Sequence, residues 1–255
     1  MTEELVHLAV RSGIATITLD SPANRNALSA QVRAELSDAL ERTAADDVRV
    51  VVLDHTGPVF CAGMDLTEPG NQGVGEFSRI MEQIWTHPKP VLAKLAGPAR
   101  AGGIGIVAAA DIAVAAQHAT FAFTEVRLGL VPAVISVTVL PRLLPRAAHE
   151  LFLTGEAFAA DRAVAIGLLT GAVPADRLDA EVARYTDLLG QGAPGALAAT
   201  KQLLRRCPAP TLAEDFAAML DLSATHFASA EGREGIRAFA EKRPPSWTPG
   251  VVTRQ

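Results

Sequence analysis

Residues 96–111, AGPARAGGIGIVAAAD, place Gly97, Gly102, Gly103 and Gly105 directly after the strand-like run VLAKLA and just before a run of small apolar residues. A glycine in a helix interior costs about 0.8–1 kcal/mol relative to alanine, so a segment that had only to be helical would not carry this cluster. The backbone here must approach something closely, or turn where a Cβ is not tolerated. Strand, glycine-rich turn and helix in that order belong to a layered α/β architecture.

The rest of the chain fits that class. LVHLAVRSGIATITLD reads as two strands about a turn at Arg11–Gly13, and SAQVRAELSDAL as a helix capped by Ser29, with Val32, Leu36, Ala39 and Leu40 on one face. VRVVVLD has the valine content of a buried strand. GEFSRIMEQIW reads as a helix ended by Pro88 and Pro90, and DIAVAA and ATFAF as further short strands. From about residue 135 the pattern turns mostly helical. The expected organisation is a β-and-α body over residues 1–191 and a helical region over 192–255.

With 255 residues, 49% of them hydrophobic, the chain can bury a large core. A net charge of −5 argues against nucleic acid as a partner. MTEELVHLAV has neither the basic start nor the long apolar stretch of a signal peptide, and no window of about 18 apolar residues escapes interruption. A cytoplasmic protein that does not enter a membrane is expected. Cys61 and Cys207 form no disulfide framework, and the six histidines show no metal-binding spacing, so no metal site is expected.

The glycine cluster supports two functional readings. Gly103 to Ala108 fits the dinucleotide pattern G-x-G-x-x-G/A, with Glu125 placed 20 residues beyond Gly105. Alternatively, Gly102 and Gly103 expose backbone N–H groups at a helix N-terminus, where a phosphate or a developing oxyanion is stabilised. A second donor for an oxyanion exists in PVFCAGMDL, residues 58–66, where Ala62 and Gly63 leave the backbone unobstructed.

Five segments in order decide between these readings: SPANRNALS (21–29), VFCAGMDL (59–66), AGPARAGGIGIVAAADIAVA (96–115), ATFAFTEVRLGLVP (119–132) and LTGEAFAADRAVAIGLL (153–169). Together with REGIRAFAEKRPP near the C-terminus they resemble the crotonase superfamily of enoyl-CoA hydratases and isomerases over nearly the whole chain. The resemblance implies a spiral of ββα turns with a C-terminal helical trimerisation region, assembled as a homotrimer or hexamer. It implies an acyl-CoA thioester substrate, with coenzyme A entering as part of the substrate and no permanently bound cofactor. Carried onto this chain, it makes the N–H groups of Ala62 and Gly103 the oxyanion hole. It places coenzyme A against Arg25, Ala27, Ala62, Gly63, Met64, Asp65, Leu66 and Gly103, with Phe239 and Lys242 of a neighbouring copy adding contacts.

The most informative departure from the pattern of the resembled family lies at Gly105. Ordinary hydratases carry two glutamates; the second matches Glu125, but the first matches Gly105. One carboxylate can take a proton from water and return it to carbon, so Glu125 is the expected acid/base of a 2-enoyl-CoA hydration. Two alternatives remain: isomerisation of a 3-enoyl to a 2-enoyl thioester, and a catalytically weak acyl-CoA-binding member. The wording around Gly105 and Glu125 is similar to the branch acting on methylglutaconyl-CoA, and Arg100 is a candidate partner for an acidic acyl group.

Overall fold

A computed structural model of the chain describes residues 4–68, 73–207 and 210–248. The chain divides into two compact units, residues 1–186 and 187–255.

In the first unit, β1 (Val6–Arg11) and β2 (Ile14–Leu19) form an antiparallel hairpin. Its turn residues, Ser12 and Gly13, both adopt positive φ, the geometry whose twist matches that of paired strands. Helix α1 (Ala30–Arg42) begins where the sequence places its cap, with the Ser29 side chain accepting the Val32 N–H. Then come β3 (Val50–His55), α2 (Val74–Thr86), β4 (Val91–Leu95), β5 (Ala99–Arg100), α3 (Gly102–Ala109), β6 (Ile112–Ala116) and β7 (Thr120–Ala122). The unit continues through α4 (Ala133–Val139), α5 (Pro145–Thr154), β8 (Phe158–Ala159), α6 (Ala160–Ala165) and β9 (Gly171–Val173). The division between the units falls inside α7 (Leu178–Gly190).

The main sheet runs β1-β2-β3-β4-β6-β9, parallel from β2 onward, and β5-β7-β8 form a small second sheet. Parallel strands are covered on both faces, and β3 shows it: Val50, Val51, Val52 and Leu53 are all buried. The segment between β4 and β6 leaves the main sheet, forms β5 and then α3, and so carries the glycine cluster out of one sheet and alongside the other.

The second unit holds α8 (Pro194–Leu203), α9 (Leu212–Phe227) and α10 (Ala230–Glu241). Thr211 and Glu214 form a reciprocal capping box on α9. The Glu231 carboxylate accepts the N–H groups of Gly195 and Ala196, tying α10 to the first turn of α8, where negative charge is favoured. Phe216, Leu220, Phe227 and Phe239 are exposed. Among the described residues no helix is long and apolar enough to cross a membrane.

Candidate active site

Two glycine-bearing segments lie side by side. Phe60 donates its N–H to Pro98 O at 2.9 Å, and Arg100 donates to Cys61 O at 3.0 Å. Two glycines permit that approach. A Cβ built on Gly97 would sit 2.1 Å from Pro58 O, and one on Gly103 would sit 2.6 Å from Cys61 O. A third segment joins them: Leu28 donates to Gly63 O at 2.8 Å, and Ala62 donates to Arg25 O at 3.1 Å. Fully buried Asn26 fixes this segment, its amide nitrogen donating to Thr56 O and Val59 O while its side-chain oxygen accepts the Ser21 N–H.

Beside these segments opens a cavity of about 820 Å³ whose wall includes Ala62, Met64, Gly102, Phe77, Glu125 and Ile135. Its backbone donors can be sorted by elimination. The Ala62 amide, expected as one oxyanion donor, is already given to Arg25 O. The Gly63 amide points to Cys61 Sγ at 3.4 Å, whereas Met64, the next residue, lines the cavity and its amide has no partner among the described residues. On the other side, Gly102 is the first residue of α3 and so has no acceptor within its own helix, and it lines the cavity. Gly103, the other expected donor, is packed against Cys61 and is not part of the wall. Both segments named by the sequence are therefore present, with the available amides displaced to Met64 and Gly102. Ala101, between β5 and α3, makes the turn at φ 45, a strained value for alanine.

Glu125 stands on a short 3-10 turn, Thr124–Leu128, that follows β7. Its Oε2 is buried and has no hydrogen-bond partner among the described residues. Burial pushes its carboxyl above the usual carboxylate range, because the charged form loses hydration without gaining a counter-ion. A buried carboxylate of raised basicity on a cavity wall is suited to carrying protons.

Gly105 leaves no room for a second carboxylate on α3. A Cβ there would lie 2.7 Å from Ile135 Cγ2 and 2.8 Å from Met81 Sδ. The Gly105 carbonyl also accepts the Thr138 hydroxyl at 3.1 Å. The place that the resemblance assigns to a first glutamate is filled by apolar side chains from α2 and α4.

Of the other expected residues, Asp65 and Leu66 also line the cavity, and the remainder do not. Asp65 Oδ1 accepts both the N–H and the hydroxyl of Thr67, a local turn that holds its carboxyl below the usual range, and Leu66 is exposed beside it. Arg25 is exposed and Ala27 buried; neither lines the cavity. Phe239, at 87% exposure, and Lys242, at left-handed φ, belong to the second unit. Arg100 is turned aside, its guanidinium bonded to Ala99 O, Thr120 O and Thr120 Oγ1. Cys61 is buried, and its thiol is pushed up to about 12, which removes it as a nucleophile. The sequence reading missed Arg33, a buried cation on the cavity wall, and Asn26, although the paired asparagines of SPANRNALS were a usable signal for a side-chain-pinned turn.

The family model for enoyl-CoA hydratase/isomerase matches residues 9–250. Carnitinyl-CoA dehydratase of Proteus mirabilis is 32% identical over 95% of this chain and 97% of its own length. The crystal structure of an enoyl-CoA hydratase of Mycobacterium smegmatis superposes with a TM-score of 0.89 at 32% identity, covering 96% of this chain and 99% of that one. An enoyl-CoA hydratase structure from Mycobacterium avium gives 0.75 at 42% identity, over 97% of this chain and 100% of that one.

Proposed function

The chain belongs to the enoyl-CoA hydratase/isomerase family of the crotonase superfamily, and from that premise we propose that it adds water to a 2-enoyl-CoA thioester using one carboxylate, Glu125. The Met64 and Gly102 N–H groups bind the thioester carbonyl oxygen. Water attacks Cβ while Glu125 takes its proton, and the displaced electron pair moves through Cα onto that oxygen. Two preorganised amides favour this enolate over the neutral thioester, which is where the rate is gained. Glu125 then returns its proton to Cα, so that H and OH have been added and the carboxylate is regenerated. Coenzyme A takes part only as the handle of the substrate.

The observation that carries this reading is the buried Oε2 of Glu125, unpartnered among the described residues, on the same wall as two amides that have no acceptor among them. Exposed Arg25, and Phe239 and Lys242 from a neighbouring copy in a homotrimer or hexamer, are the proposed contacts for the nucleotide end of coenzyme A. The closed space at Gly105 favours a second reading, isomerisation of a 3-enoyl thioester, in which a single carboxylate moves a proton from Cα to Cγ. Absorbance at the conjugated thioester band separates the two. Hydration of crotonyl-CoA bleaches the band, isomerisation of a 3-enoyl-CoA builds it, and loss of neither signal in Glu125→Gln would reject the assigned base.

A further inference from the structure

We infer that the acyl end of this cavity is built for an uncharged hydrocarbon group and rejects an acyl chain ending in a carboxylate. The inference rests on the thioester reading above and adds the class of acyl group to it. Among the described wall residues Arg33 is the sole cation, and its guanidinium is engaged. Its Nε donates to Glu76 Oε2 at 3.0 Å, and its Nη1 donates to Leu28 O at 2.6 Å and to Glu68 Oε2 at 3.1 Å. The other oxygen of Glu68 accepts the Ala30 N–H at 2.6 Å. Arg33 is 4% exposed and lies against the Gly73 backbone, where a Cβ would meet its guanidinium at 2.3 Å.

Four carboxylates share the wall with that one positive charge: Asp65, Glu68, Glu76 and Glu125. Residues 69–72, Pro-Gly-Asn-Gln, contribute no charge to the sequence between them. Arg100, the cation that the sequence offered to an acidic acyl group, is committed to Thr120 and Ala99 instead. What the wall offers an acyl chain is Val74, Phe77, Val131, Val134 and Ile135. An incoming carboxylate would lose its hydration there, gain no counter-ion and meet like charge, whereas a methyl group in its place loses nothing.

The test compares two pairs of thioesters that differ in this one group. Pentanoyl-CoA and glutaryl-CoA, which are not turned over, are titrated calorimetrically into the full-length protein. The kcat/KM values of 2-pentenoyl-CoA and glutaconyl-CoA are measured beside them. The expected result is at least about 30-fold weaker binding of glutaryl-CoA, with a matching loss in kcat/KM for glutaconyl-CoA. Glu68→Gln/Glu76→Gln, which leaves Arg33 without its carboxylates, narrows the pentanoyl-to-glutaryl ratio. Equal binding of the two saturated thioesters to the natural protein overturns the inference while leaving the thioester reading in place. Failure of both to bind removes the thioester reading itself.

Discussion

Gly105→Ala measures whether the space beside α3 is closed. In an open helix interior this change stabilises by about 0.8–1 kcal/mol. Here the new methyl would meet Ile135 Cγ2 at 2.7 Å and Met81 Sδ at 2.8 Å, about an ångström inside ordinary carbon contact. The thioether of Met81 is flexible and can yield. Ile135 is β-branched, 3% exposed and held on α4, so it yields less. Overpacking of this kind costs about 1–3 kcal/mol. Set against the helix-propensity gain, the net change is a loss of roughly 0–2 kcal/mol by the same two estimates. In an Ile135→Ala background the main obstacle is gone, and Gly105→Ala should stabilise by about 1 kcal/mol. The two substitutions therefore couple by about 1–3 kcal/mol. Urea unfolding of the four proteins of the cycle gives this number directly. A Gly105→Ala protein about 1 kcal/mol more stable than the parent, or an additive cycle, would refute the closed space and with it the physical account of the missing carboxylate. The functional corollary is that Gly105→Glu, which needs more of the same room and brings a charge, does not raise turnover.

Glu125→Gln should lower kcat by about 10²–10⁴-fold with thioester binding retained, read by steady-state kinetics and calorimetry. Because burial raises the Glu125 pKa in the folded chain, kcat/KM of the natural protein should climb as pH rises through that value. Stability runs the other way: the folded state holds this proton more tightly than the unfolded chain, so the stabilisation is full below the unfolded pKa and is lost as pH rises through the folded one. Glu125→Gln should therefore melt above the natural protein at neutral pH, with the gap closing in acid. Gly102→Pro keeps a residue accepted at a helix start but deletes the N–H, and should cost about 2.7–4 kcal/mol of transition-state stabilisation with circular dichroism unchanged. Asn26→Ala removes three side-chain hydrogen bonds from a fully buried site and should lower stability by about 1.5–4.5 kcal/mol in denaturant titrations.

The elements legible in the sequence are those whose causes are local. The Ser29 cap, the paired positive-φ residues of the β1–β2 turn and the valine run of β3 each carry their own reason for forming. The two-residue strands β5 and β8 do not, since their partner in both cases is β7, reached only after the chain has folded back. The same division runs through the site. The proposed base, Glu125, was readable because its chemistry is in its side chain and its place follows a strand. The proposed oxyanion donors were readable only as segments, because every residue but proline has an amide and the sequence does not say which is already bonded. The Ala62 amide donates to the Arg25 carbonyl, a contact set by the left-handed turn at Arg25 and Asn26 rather than by anything in VFCAGMDL. Gly105 divides along the same line. The missing carboxylate is visible in one letter, but its irreversibility belongs to Ile135 and Met81, which close the space from two other helices. Restoring that letter alone would add a buried charge where there is neither room nor a partner, so Gly105 and its apolar neighbours act as one unit and must be changed together to be undone.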